Sequence, residues 1–264
     1  MRIFGKERDF EAFEEVIGQA KARVPMRVLA WCVMSNHWHF VLWPRGDGDL
    51  SEFIRWLTVT HTQRWHAAHR TAGTGPLYQG RFKSFPIQED EHLWTVLRYV
   101  ERNPLRANLV EAADAWRWSS LWHRVRGNKA GLLDDGPLAL PGRWRQHVQA
   151  PQSEAELQAL RRSVVRSAPF GETSWQERTA KRLGLQSTLR PRGRPWKPKP
   201  KTIKDSRPLY SLVGCGQHMG SLGHRRLECA LDGRLGRRPV AVCPERCIAR
   251  CHCKLRYDPV SDVG

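Results

Sequence analysis

His37 and His39 stand on either side of Trp38 in the run Asn36-His37-Trp38-His39-Phe40-Val41. In an extended strand alternate side chains share a face, so the two imidazoles project together and Trp38 points the other way. Two imidazoles on one face of a rigid strand form a two-point clamp for a metal ion, although an H-x-H is at least as often a core or surface pair. Farther along, Tyr99 and Asn103 are four residues apart in a helical pattern, which puts a phenol and a carboxamide on one face, a turn apart. They flank the apolar stripe Leu93, Val96, Leu97 and Val100, at its border with Arg98 and Arg102. Such a pair could face a groove with guanidiniums beside it for phosphates. It could equally be a boundary aromatic and a helix C-cap ahead of Pro104.

The elements that must position these groups follow from hydrophobic period. Phe10, Phe13, Val16, Ile17 and Ala20 predict an amphipathic helix over 8–22. Residues 26–34 (MRVLAWCVM) read as a buried strand and 37–43 (HWHFVLW) as a second, joined through Ser35-Asn36 as a hairpin. Leu50, Phe53, Ile54 and Leu57 start a helix that runs to about His69, and Thr71 to Pro76 is loop. Residues 81–87 (RFKSFPI) read as a strand, and Glu89-Asp90-Glu91 open a third helix that Pro104 limits. The order helix, strand, strand, helix, strand, helix predicts an α+β fold, an antiparallel sheet with helices on one face.

Charge divides the chain. The 264 residues carry 44 Lys and Arg against 26 Asp and Glu, a net +18. Residues 1–125 hold 17 against 14, so the excess lies downstream. A pI near 10.3 points to a polyanionic partner, most simply nucleic acid. All twelve Trp precede residue 197, whereas six of seven Cys follow residue 205. Three regions result: a globular domain over 1–125, a basic, partly helical extension over 126–196, and a linker with a Cys-rich, disordered tail over 197–264. In the tail, Cys243, Cys247, Cys251 and Cys253 with His252 offer zinc ligands, but their spacing fits no paired knuckle. Arg81 and Lys83 alternate with Phe82, and with Arg98, Arg102 and Arg106 they could line a phosphate track. Arg192-Gly193-Arg194-Pro195 is the core of an AT-hook, which lays two arginines into a narrow minor groove. Mean hydropathy is −0.58 and no apolar run approaches a membrane span. The sequence opens without the apolar stretch of a secretory signal, which predicts a cytoplasmic protein.

Together HWH and Tyr99-x3-Asn103 match the His-hydrophobic-His (HUH) signature and a single nucleophilic tyrosine followed by a third metal ligand. The wider text AWCVMSNHWHFVLWP, LYQGRFKSFPI and LRYVERNPLRANLV is similar to the REP-associated tyrosine transposases, which belong to the single-tyrosine HUH transposases. The resemblance covers about residues 3–125 well and runs more loosely to about 197. It implies a ferredoxin-like sheet whose first, central strand this sequence lacks before Arg2. It implies Mg²⁺ or Mn²⁺ held by His37, His39 and Asn103, and attack by Tyr99 on a phosphodiester of single-stranded hairpin DNA with palindromic repeats. A nucleoid-associated monomer or homodimer would fit. Tyr78 is the rival nucleophile, but it has no ligand four residues on. Two other readings stay open: an inactive relic that only binds DNA, and a zinc hydrolase built on His37 and His39.

Overall fold

The computed structural model describes residues 2–128 and 131–190, and the backbone of residues 240–244. The elements below belong to one compact unit. Helix α1 (Glu7–Arg23) buries Phe10, Phe13, Val16, Ile17 and Ala20, the positions that return to one side every three or four residues. Asp9 closes its start: the carboxylate Oδ2 accepts from the N–H of Gly5 (3.0 Å) and of Lys6 (2.9 Å), which the helix itself leaves unpaired.

Strands β1 (Met26–Met34) and β2 (His37–Pro44) form an antiparallel hairpin, with Met34 opposite His37 and Cys32 opposite His39. Helix α2 (Asp49–His69) follows, then β3 (Phe82–Pro86), α3 (Glu91–Glu101) and the single turn α4 (Asn103–Arg106). Short α5 (Ser120–Val125) and α6 (Trp144–Gln149) precede α7 (Glu154–Arg166), α8 (Thr173–Leu183) and α9 (Gln186–Leu189). Strand β4 (Val240–Pro244) completes a four-stranded sheet in the order β1-β2-β4-β3, antiparallel at every pairing.

Both faces of the sheet are covered. Val28, Trp31 and Val33 of β1 and Trp38, Phe40 and Leu42 of β2 enter one core with Phe13, Val16 and Ile17 of α1 and Phe53, Ile54 and Leu57 of α2. Ala30, Cys32, Met34 and Val41 enter a second core with Phe85, Ile87, and Leu93, Val96 and Val100 of α3. The expected α+β class holds, but the helices flank the sheet on two faces where one was expected. The near-continuous apolar run of β1 is the physical reason: a strand buried on both sides needs no polar alternation. The expected strands over 26–34, 37–43 and 81–87 and the expected first three helices form within a residue or two of their predicted bounds.

The outer edge of β1 is not open. Val33 N–H donates to the Trp118 carbonyl at 2.9 Å, and Cys32 bridges Ser119. At the far side, the segment around Phe170 docks beyond β3: Phe170 N–H donates to Pro86 O and Gln88 N–H to Phe170 O, both at 2.9 Å. Among the described residues no helix is long and apolar enough to cross a membrane.

Candidate active site

Because side chains alternate along β2, His37 and His39 lie on the face of Val41, the face that α3 covers. Tyr99 projects from α3 toward that face and is buried, as are His39 and Asn103. The His37 and His39 rings meet edge to face, centroids 4.9 Å apart, and the Tyr99 ring lies 6.1 Å from His39. Helix α3 ends at Glu101, and α4 carries Asn103 at its first position with Pro104 next. The break suits Pro104, which has no N–H to continue the α3 ladder. It also brings Arg106 back over Tyr99, guanidinium carbon 4.1 Å from the ring centre, where the guanidinium donates to Asn103 Oδ1.

Four residues expected from the sequence as the site, His37, His39, Tyr99 and Asn103, therefore converge, and Arg106 of the expected phosphate track joins them. What distinguishes the cluster is its unspent valence. Buried His37 Nε2, Asn103 Nδ2 and Arg106 Nη1 have no hydrogen-bond partner, an expensive state in a protein interior. Burial, reinforced by Arg106, holds His37 far below the usual imidazole range, at about 4. His39 is lowered well below that range by burial, then by His37 and Arg106. Both rings are thus neutral at pH 7 and offer lone pairs.

Of these orphans, His37 Nε2 carries a lone pair that a divalent cation could take, whereas Asn103 Nδ2 and Arg106 Nη1 are N–H donors suited to a phosphate oxygen. Asn36 Oδ1 lies 2.6 Å from His37 Nδ1, which fixes the proton there and leaves the orphaned Nε2 as the ligating atom. A third ligand would be the Asn103 amide oxygen Oδ1, which here accepts from Arg106 and would have to exchange that partner for the ion. Among the described residues no three His, Cys, Asp or Glu side chains gather elsewhere as a metal site.

Tyr78 is removed from the contest by topology. It lies with Trp38 on the opposite face of β2, where its hydroxyl accepts from Trp38 Nε1 at 3.1 Å and lies 2.6 Å from His61 Nδ1. Burial pushes this phenol well above its ordinary value, against the Trp38 hydrogen bond.

The expected phosphate track is redrawn. Arg98 is buried and its Nη2 donates to the carbonyls of Ala150 (2.8 Å) and Pro151 (2.7 Å), which ties that end of the guanidinium to the end of α6. Arg102 likewise donates to Val148 O at 3.0 Å and to Gln149 O. A helix C-terminus leaves carbonyls unpaired and carries negative partial charge, so guanidiniums settle there. Lys83 shares a face with Phe85, which enters the second core, and so lies on the histidine side of the sheet. Arg81 is exposed just ahead of β3. Arg192 and Arg194 lie outside the described residues, as do Cys247, Cys251, His252 and Cys253.

Two positioning residues escaped the sequence reading. Asn36 was visible only as a turn residue. Glu101, fully buried at the end of α3, accepts from Ser120 Oγ (2.6 Å), Arg124 Nε (3.0 Å) and Trp144 Nε1 (2.6 Å). It pins the helix that carries Tyr99 to α5 and α6. No spacing signal announces such a residue, because its partners are far away in sequence.

Comparison with known proteins bears directly on this cluster. Residues 2–103 match the family model described as "Transposase IS200 like", a span that begins before α1 and ends on Asn103. That stretch is similar to the IS200-like transposases. A REP-associated tyrosine transposase, so named, of Haemophilus influenzae is 24% identical over 125 residues, covering 43% of this chain and 69% of that protein. No solved structure matches the chain. The family match contains every residue of the proposed site except Arg106, and it leaves the helices after α4 unassigned.

Proposed function

We propose that this transposase-like domain cuts and rejoins single-stranded DNA through a covalent tyrosine intermediate. The observation that carries the reading is the convergence of His37, His39, Tyr99 and Asn103 on one face of β2, with His37 Nε2 buried and unpaired. The Tyr99 hydroxyl oxygen attacks phosphorus, the P–O3′ bond breaks, and the departing 3′ oxygen takes a proton. The phosphate stays joined to the 5′ end of the downstream strand, on Tyr99. A 3′-hydroxyl attacking that phosphotyrosine reverses the step and joins strands, one phosphodiester for another, so no nucleotide triphosphate is consumed.

A phenol of ordinary pKa, about 10, is a weak nucleophile at neutral pH. Arg106 lies over the Tyr99 ring, its guanidinium carbon 4.1 Å from the ring centre, and brings a positive charge beside the attacking residue. Mg²⁺ or Mn²⁺ held by His37, His39 and the Asn103 amide would supply Lewis-acid stabilisation of the phosphate oxygens. Imidazole ligands are borderline donors, which favours Mn²⁺ over Mg²⁺ in affinity. Arg81 and Lys83, with the basic chain beyond α9, supply non-specific phosphate attraction. The name of the Haemophilus relative directs the choice of substrate toward hairpins formed by palindromic repeats. We infer a monomer or homodimer acting on nucleoid DNA in the cytoplasm.

The test mixes full-length protein with end-labelled hairpin DNA and Mn²⁺ and looks for a protein–DNA adduct on a denaturing gel. The expected adduct forms with wild type and Tyr78→Phe and is absent with Tyr99→Phe. An adduct that survives Tyr99→Phe overturns the nucleophile. Salt-sensitive hairpin binding with no adduct in wild type would make this a DNA-binding protein without the chemistry.

A further inference from the structure

Strand β4 occupies the middle of the sheet although it follows α9 by some fifty residues. Its two edges are both used. Val240, Ala241 and Val242 stand opposite Leu42, Val41 and Phe40 of β2, and Val240 through Pro244 stand opposite Pro86 through Phe82 of β3. Among the described strands, β4 is the sole ladder partner of β3, and β2 meets β3 only through it. Take β4 away and the facing edges of β2 and β3 lose their partners in the interior of a two-faced sheet, where unpaired backbone groups are costly.

We propose that the gap between β2 and β3 is a strand-binding slot, that its occupant is this chain's own segment Val240–Pro244, and that its occupation positions the catalytic strand. The slot takes any short extended segment with free backbone donors and acceptors, the recognition mode of β-augmentation. The segment suits it: VAVC favours extended backbone, and Pro244 falls at the strand end, where a missing N–H is tolerated. Its link to the site is direct. The first β2 residue it pairs, Phe40, follows His39, while β3 carries Lys83. An empty slot therefore frees the strand that aims both imidazoles at Tyr99, and it frees a cation on the same face. Tethering helps occupancy, since a covalently joined segment is held at an effective concentration on the order of millimolar.

The consequence for the site rests on the proposed tyrosine chemistry; the occupancy of the slot does not. Two experiments keep them apart. Lys83 and Cys243 are opposed in the β3–β4 register, and directly opposed antiparallel residues have a Cα separation of about 4.5–5.5 Å, within reach of a disulfide. In full-length Lys83→Cys under mild oxidation, the expected product is an intrachain crosslink between position 83 and Cys243, located by peptide mass mapping. Absence of that crosslink overturns the proposal, and a crosslink between two molecules overturns its choice of occupant.

The second experiment uses Val242→Pro, which removes a backbone donor at the centre of β4. Hydrogen exchange at Phe40–Leu42 and Phe82–Phe85 is expected to accelerate at least about tenfold while amides of α1 keep their protection. Adduct formation at Tyr99 falls in parallel, and a synthetic peptide spanning residues 238–246 restores both. If exchange in β2 and β3 is unchanged by Val242→Pro, the slot is not held by this segment. If exchange responds and the peptide restores it while wild type forms no adduct, the slot stands and the tyrosine chemistry fails.

Discussion

Two histidine–tyrosine pairs sit on opposite faces of β2, and their difference separates structure from chemistry. On the α1–α2 side, His61 and Tyr78 are joined at 2.6 Å, Trp38 donates to the same phenol, and His61 stacks on Phe4. On the α3 side, His39 and Tyr99 are 6.1 Å apart between ring centres, beside buried nitrogen atoms with nothing to bond. The first pair is closed: the phenol is bonded to both Trp38 and His61, and the cluster behaves as core. The second leaves a lone pair on His37 Nε2 and N–H donors on Asn103 and Arg106 without partners, groups that an ion and a phosphate could satisfy. Folded chains seldom tolerate buried orphans, so their concentration at one place is itself a functional signal.

The sharpest way to break this comparison is to remove the two phenols in turn. Tyr99→Phe should abolish the covalent DNA adduct while leaving the urea midpoint nearly unchanged. Asn36→Ala frees His37 Nδ1 and should lower Mn²⁺ affinity, read by titration calorimetry, by roughly 10–100-fold, the usual cost of losing a group that orients a ligand. Tyr78→Phe strands Trp38 Nε1 and His61 Nδ1; equilibrium unfolding should show a loss of about 1–3 kcal/mol, with adduct yield retained.

A smaller effect near neutrality concerns His61. Burial lowers its pKa to about 3, with Asp9 raising it and His69 lowering it in opposition, and Tyr78 is its hydrogen-bond partner. Between the ordinary value, about 6.5, and about 3, the unfolded chain binds a proton that the folded chain refuses, so stability should fall as pH falls through that window. His61→Gln should flatten this slope in denaturant melts from pH 7 to 5. An unchanged slope would show that His61 is not the closed, neutral group described.

Much of this was legible in the sequence because it is local. The i, i+3, i+7 recurrence of Phe10, Phe13 and Ile17 fixes α1, and alternation alone places His37 and His39 on one side of a strand. Tyr99 and Asn103 were paired by a four-residue spacing, although Asn103 begins a new turn rather than continuing α3. What escaped is nonlocal. Arg98 looked like a phosphate contact because charge at a helix border says nothing of the α6 carbonyls some fifty residues on. The covering of both sheet faces depends on which helix packs where, and a continuous apolar strand leaves that open. Residues 240–244 are too few for any period to announce a strand, since pairing and not pattern defines β4.

The N–H groups of Ile3 and Phe4 both donate to the carbonyl of Ser35, each at 2.9 Å, one residue before Asn36. For anyone attaching a tag, dye or tether, this makes the amino-terminal end a poor handle, because a pull there is transmitted to the turn that orients His37. Segment Val240–Pro244 threads the sheet, so a load applied through it is no better. The exposed loop over residues 72–76, on neither chain end, is the place to graft a label without loading the site.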